Sequence, residues 1–367
     1  MKLKKYELVR TIDKVKSVVQ KNPQIPALGG VLIKEGYAIA ANGEMTIQVK
    51  LEGAESESFI VPMKAFDLIK NLPEGDVEIT CDDKDVVTIQ TEKIKNSYQS
   101  FPAENFMYDK TETGEEEGIV LPGTLLMEAI SHALYAAADK SPGRPELEGI
   151  YLEGENDNLN LAATDGHVMC WDQVNSVFGV SGLKLIVPKT AAKKLTSMGM
   201  DDDITLSHDA NSAIFKTDAY LIRTRIRDGK FVPYQKMFVN MENYAIVNRE
   251  ELIGAMTREE LIGAMTRAKM CTDESVPAEF DIEGEEINVI LQDKVTNYRE
   301  KIMLKSPIEK PIRIGFDSRL VLETIKAFTC ENITLNFSSP STPMIVQAED
   351  SDMKALVLPV RLKGATK

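Results

Sequence analysis

The chain has 367 residues, enough for two or three domains at roughly 100–200 residues each. Hydrophobic residues at 43% and charged residues at 27% are ordinary for a soluble globular protein, and no apolar run approaches the roughly 18 residues that would cross a bilayer. The polar start, Met1 to Glu7, is no secretory leader, and Cys81, Cys170, Cys271 and Cys330 show neither zinc-site nor disulfide spacing. They suit a reducing cytoplasm, where the protein is expected. The net charge of −14 argues against strong overall affinity for phosphate, yet the basic residues are unevenly placed. Residues 1–21 carry seven basic side chains against Glu7 and Asp13, and residues 184–198 carry Lys184, Lys189, Lys193 and Lys194 with no acid. Such a chain can present two electrostatic faces.

In chain order, apolar residues at Leu8, Ile12, Val15 and Val19 predict an amphipathic helix over Leu8–Val19. A strand follows at Leu28-Gly29-Gly30-Val31, and Asn42-Gly43 predicts a two-residue type I′ hairpin turn with positive φ at both positions. Ile60-Val61-Pro62 leads into a second helix through Ala65, Phe66, Ile69 and Leu72, then an alternating strand at Asp76–Ile79. The same order then recurs. A helix is predicted over Leu125–Ala137, a strand at Leu147-Glu148-Gly149-Ile150, and a turn at Asp165-Gly166, displaced by 123 from Asn42-Gly43. Ile186-Val187-Pro188, displaced by 126 from its first copy, precedes a helix through Ala191, Ala192, Leu195 and Met198 and a strand at Asp203–Leu206. A looser third copy has a helix over Leu261–Met270, Arg313-Ile314-Gly315-Phe316, a helix over Leu320–Phe328 and a strand at Asn332–Leu335. The fold class expected is α+β: three repeats, 1–114, 115–243 and 244–367, each with two helices packed on antiparallel sheets.

These pieces resemble the bacterial sliding clamp, the β subunit of the replicative DNA polymerase holoenzyme. The resemblance rests on Leu161–His167 in the middle repeat and on Phe101–Phe106 and Arg225–Phe231, which close the first and second repeats. The terminal Leu356–Leu362 completes it, and the likeness runs over essentially the whole chain. It implies the DNA clamp fold, a head-to-tail homodimeric ring of six similar domains that encircles duplex DNA without reading its sequence. It implies tethering of the replicative polymerase and of other replication and repair proteins, loading by a clamp loader, and no catalysis, cofactor or metal.

By that resemblance Lys14, Lys21, Lys189 and Lys193 face the DNA, where phosphate contacts position a protein without specifying sequence. DNA polymerase and clamp-loader subunits are expected to bind through short hydrophobic linear motifs. Their groove would be lined by Leu147, Thr164, Gly166, His167, Val168, Met169 and Val239. Leu356, Leu358, Pro359, Val360 and Arg361 of the terminal strand would complete it. Val168 stands where the family often has a basic residue, and Val239 where proline is common. The implied dimer interface joins Phe66, Leu72, Phe101 and Phe106 of one chain to Lys269, Met270 and Cys271 of the other.

Residues 249–257 are repeated without change as 258–266. Nine residues turn a helix through about 900°, so the two copies present opposite faces and cannot both pack on one core. The first copy is expected to lie outside the normal helix or to extend its N-terminus. An enzyme is disfavoured: Asp165 and His167 have no nucleophile beside them, and neither a phosphate-binding loop nor a dinucleotide fingerprint is present. The remaining alternative is a clamp-like interaction scaffold that does not close a ring on DNA.

Overall fold

The computed structural model describes residues 1–109, 118–241, 243–257, 277–292 and 297–362. The helix expected over Leu261–Met270, the second copy of the nonapeptide, and Lys269, Met270 and Cys271 lie outside them. The chain forms two compact units, residues 1–124 with 197–226 and residues 125–196 with 227–367. Compactness therefore cuts through the middle repeat instead of following the repeat boundaries. No helix among the described residues is long and apolar enough to cross a membrane.

The reason lies in the sheets. In the first unit, strands Ser58–Pro62, Gly30–Lys34, Tyr37–Ala41 and Met45–Lys50 come from the first repeat. They continue without a break into Tyr220–Arg225, Ser212–Lys216, Ile204–His208 and Ile119–Leu121 of the second. The seam is antiparallel, with Ile47 opposite Ile222 and Thr46 opposite Arg223. In the second unit, Lys184–Pro188, Gly149–Glu155, Asn158–Thr164 and Val168–Val174 continue into Lys354–Val357, Met344–Gln347, Asn332–Phe337 and Asn243–Asn248. A smaller sheet accompanies each. Lys2–Lys4, Asp76–Cys81, Val86–Gln90 and Lys95–Gln99 belong to the first unit. Asn297–Met303, Glu286–Gln292, Pro277–Glu283, Ile312–Asp317 and Pro359–Val360 belong to the second.

Six helices are described: α1 (Lys5–Val15), α2 (Phe66–Asn71), α3 (Gly123–Ala133), α4 (Lys189–Met198), α5 (Arg249–Thr257) and α6 (Ser318–Ala327). Their apolar spacing buries one stripe each, as in Leu8, Ile12 and Val15 of α1 or Leu126, Ala129, Ile130 and Ala133 of α3. Both α1 and α3 stop about four residues before the sequence pattern does. The buried Val18 and Val19, and Ala136 and Ala137, follow in tight turns closed by Val18 N–H to Val15 O (3.0 Å) and Ala136 N–H to Ala133 O (3.1 Å). Apolar periodicity continued past the helix because burial did. In α6 the Asp317 carboxylate caps the first turn, accepting from the N–H groups of Arg319 (2.9 Å) and Leu320 (3.4 Å).

The first copy of the nonapeptide does not lie outside a helix, and whether it extends one at its N-terminus falls on residues outside those described. It follows strand Asn243–Asn248 directly as α5 and buries Leu252, Ala255 and Met256, with Asn248 Oδ1 accepting from Glu251 N–H at 3.1 Å. Copy one thus packs three apolar side chains into the core.

Candidate partner groove and basic helices

The hairpin at Asp165-Gly166 is built by side-chain oxygens. Asp165 Oδ1 accepts from the N–H groups of His167 (2.7 Å) and Val168 (2.9 Å). Thr164 Oγ1 donates to Val168 O (2.6 Å) and accepts from Gly166 N–H (3.1 Å). At the equivalent turn, Asn42 Oδ1 accepts from Glu44 and Met45 N–H, both at 2.8 Å. The type I′ expectation fails at both: of the four residues only Gly166 has positive φ (+95°). The aspartate or asparagine replaces the double left-handed turn by holding two amides itself.

Strand Val168–Val174 pairs with the terminal strand, placing Met169 opposite Leu356 and Val168 opposite Val357, and Leu358 N–H donates to His167 O at 2.9 Å. The structure therefore brings the two predicted walls together. It also divides them. Successive strand residues face opposite sides of a sheet, so Val168 cannot share a wall with Met169. Thr164, Met169 and Leu356 share one face, being paired directly across the ladder. Val168 lies on the other face with Asp172, whose carboxylate meets His132 Nδ1 of α3 at 2.7 Å. Leu147, Thr164, Val168, Met169 and Leu356 are all buried.

Met169 and Leu356 are buried because the segment 231–241 folds over their face. They pack with Ala162, Ile186, Phe231, Tyr234 and Ile345. Tyr151 stacks on Phe231 with ring centroids 4.9 Å apart, and Trp171 meets Tyr234 and Phe238, each at 5.5 Å. Tyr234 Oη donates to Glu153 Oε2 at 2.9 Å. Burial, with Glu153 nearby, pushes the Tyr151 phenol up to about 12 and the Tyr234 phenol higher still. This aromatic layer was missed from sequence. Its signal was available: Phe231, Tyr234 and Phe238 crowd eight residues of a chain that is 6% aromatic.

Of the predicted groove residues, Val239 (58% exposed), Leu358 (37%) and Val360 (36%) are exposed, as are Gly166, His167 and Arg361, and Met237 is exposed two residues before Val239. Leu358 stands at a corner. The terminal strand leaves the eight-stranded sheet there, and Pro359 and Val360 join the five-stranded sheet opposite Phe316 and Gly315.

Of the lysines, Lys21 and Lys193 are exposed, Lys193 with its Nζ 4.0 Å from Asp139. Lys14 and Lys189 are not free to project as expected. Lys14 Nζ donates to Met198 O and lies 4.6 Å over the Tyr220 ring. Lys189 Nζ donates to Ala137 O (2.6 Å) and pairs with Asp139 (2.9 Å). Of the predicted interface, Leu72 and Phe106 are buried within their own chain, Phe106 against Ala27, Leu28 and Ile60. Phe101 is 43% exposed, and the half-buried Phe66 borders a cavity of about 320 Å³ between α1 and α2. Among the described residues no cluster of His, Cys, Asp or Glu could hold a metal ion.

Repeated two-helix units on antiparallel sheets, fused at their boundaries by continuous ladders, define a three-domain clamp. Family models for the N-terminal, central and C-terminal domains of the DNA polymerase III beta subunit match residues 1–108, 120–233 and 240–361. The chain belongs to that family, and it is a sliding clamp. It is 22% identical to the beta sliding clamp of Synechococcus elongatus, covering 98% of both chains, and 21% identical to that of Escherichia coli, covering 97% of this chain and 98% of the relative. The fold is similar to the DNA polymerase III subunit beta of Pseudomonas aeruginosa, at 19% identity, TM-score 0.86 and coverage of 99% and 100%. It is equally similar to the DNA polymerase beta subunit of Streptococcus pyogenes, at 17% identity, TM-score 0.87 and coverage of 98% and 99%.

Proposed function

We propose that two copies of the chain close head to tail into a ring around duplex DNA and serve as a non-catalytic processivity factor. The observation that supports this most is the treatment of sheet edges. Within the chain, repeat boundaries are bridged by antiparallel pairing, and among the described residues strand Lys95–Gln99 of the first repeat and strand Asn297–Met303 of the third each end a sheet without a further partner, as the outer strands of the other sheets also do. Open edges are templates for pairing with another chain. Joining one such edge to the other on a second copy would close the ring with the device already used at its internal seams, with Phe101 and Phe66 as accessible apolar contacts.

DNA would be held by topology, with Lys21 and Lys193 offering loose phosphate contacts. Polymerase and clamp-loader subunits would dock apolar peptide ends at Leu358, Val360 and Val239, over the aromatic layer. The test is retention on DNA after loading. The protein is expected to stay on a nicked circle and to leave once the circle is cut. Equal retention on both forms would favour the scaffold that binds without encircling.

A further inference from the structure

The loop that joins strand Val168–Val174 to strand Lys184–Pro188 holds one aromatic side chain in solvent. Val177 and Val180 are buried, and Phe178 between them is 79% exposed. The loop is fixed at both ends: Val177 N–H donates to Asp157 O at 2.7 Å and Leu183 N–H to Val180 O at 3.0 Å, with Gly179 at a φ of +76°. The first repeat builds the same loop. Leu51 and Ala54 are buried as Val177 and Val180 are, and Gly53 has a φ of +82°. Leu51 N–H donates to Gly36 O at 2.7 Å and Glu57 N–H to Ala54 O at 3.2 Å. In the place of Phe178 stands Glu52, also exposed. A charged residue thus satisfies the same loop geometry, and nothing in the fold calls for an aromatic ring at 178. A ring presented by a fixed backbone loses little freedom when a partner covers it, as an interface anchor should.

The surroundings of the ring set the sign of that partner. The loop lies at the end of the eight-stranded sheet where the turns after strands Gly149–Glu155 and Met344–Gln347 also lie. Asn175 Nδ2 donates to Asp352 Oδ2 at 2.7 Å, and Ser176 N–H to Asn158 Oδ1 at 3.4 Å. These turns bring the exposed Glu155, Asp157, Glu349, Asp350 and Asp352, none of them ion-paired among the described residues. The lysines that follow the loop and the second turn are engaged, Lys184 Nζ with Glu153 at 3.2 Å and Lys354 Nζ 5.0 Å over the Trp171 ring. Five free carboxylates repel nucleic acid and anionic lipid and suit a basic protein surface. The hairpin of the Leu358 groove stands at the other end of strand Val168–Val174, roughly 20 Å away at a strand's rise per residue. A polymerase grips duplex DNA with Lys and Arg on phosphate, so its body is basic where it approaches the duplex.

We propose that Phe178 and the carboxylates around it are a second contact for the polymerase tethered at the Leu358 groove, the ring entering an apolar recess on the basic body of that enzyme. The proposal rests on reading the groove as the site of the polymerase's peptide. The peptide would hold the enzyme, and the second contact would orient it.

The test uses the full chain, the catalytic subunit of the replicative polymerase and a fluorescein-labelled peptide ending in two leucines. Phe178→Glu gives the loop the side chain its counterpart already carries at Glu52, so its melting curve should match that of the native protein. Polymerase affinity is expected to fall about tenfold on Phe178→Glu and several-fold on Asp350→Lys, while the peptide binds both variants as it binds the native chain. Raising salt from about 0.05 M to about 0.3 M should weaken the polymerase more than the peptide. Equal polymerase affinity for native and Phe178→Glu chains would overturn the proposal and leave the groove intact. A mass in light scattering that rises above the dimer with concentration, and falls back on Phe178→Glu, would assign the ring to a second copy and overturn it as well. A peptide and a polymerase both indifferent to Leu358→Glu, with polymerase affinity still lost on Phe178→Glu, would remove the groove reading and keep this contact. A polymerase that does not bind the native chain would overturn both.

Discussion

Gly30 and Gly149 stand at the same point of two repeats, opposite Pro62 and Pro188. A Cβ on Gly30 would sit 2.6 Å from Val61 O and 2.7 Å from Ile60 Cγ2; on Gly149 it would sit 2.4 Å from Val187 O and 2.8 Å from Ile186 Cγ2. Backbone would have to move in both cases, so Gly149→Ala and Gly30→Ala are each expected to cost about 1–3 kcal/mol in urea unfolding. Gly43→Ala meets nothing within 4 Å and should leave the midpoint unchanged. Equal midpoints for all three would mean the close strand approach is not a constraint. The phenols under the closing segment set a second residue-scale expectation. Tyr151, held up to about 12 by burial, keeps its proton more tightly in the folded chain than its ordinary value of 10.0 allows when unfolded. Stability from this group is therefore complete below pH 10 and drains away as pH rises through about 12. Urea midpoints should fall across that window, and Tyr151→Phe, which cannot ionise, should flatten the fall.

At the scale of elements, the repeat was legible because it is written in residues that local geometry demands. Ile-Val-Pro before a helix, glycine at the close strand crossing and Asn or Asp at the turn each answer to a neighbour within the same repeat. The seams were not legible, because nothing local in Val168–Val174 says that its next neighbour is strand Lys354–Val357 rather than another strand of its own repeat. For the same reason Val168 and Met169 were placed in one groove although the pleat sends them to opposite faces. Lys14 and Lys189 were counted as free charges because their carbonyl and ring partners are distant in sequence. The duplicated nonapeptide shows what patterning alone leaves open: the two copies are identical in sequence, and the described one, 249–257, buries Leu252, Ala255 and Met256. Leu252→Ala is accordingly expected to cost about 2–5 kcal/mol in unfolding free energy. An unchanged midpoint would mean that the identical second copy can take over the site. Deletion cannot separate these cases, since removing either copy leaves the same chain.

At the scale of the molecule, a ring places a demand that no single chain can meet. Two sheet edges must find each other across copies, and the apolar side chains beside them must be reachable. Leu72 and Phe106 are spent on their own chain, which leaves Phe101 as the exposed aromatic of the predicted surface. Edge pairing of polar strands contributes modestly without apolar burial beside it, so the dimer should be sensitive to that one ring. Light scattering across a dilution series is expected to give twice the chain mass for the native protein. Phe101→Asp, at an exposed position that costs the fold little, should shift the midpoint of dissociation upward in concentration by about tenfold or more. The same variant should then be lost from nicked circular DNA as fast as from cut DNA, because a ring that opens on dilution no longer traps its axis. A variant that stays dimeric and stays on the circle would place the closing contact elsewhere, and a native protein that is monomeric at every concentration would remove encirclement altogether.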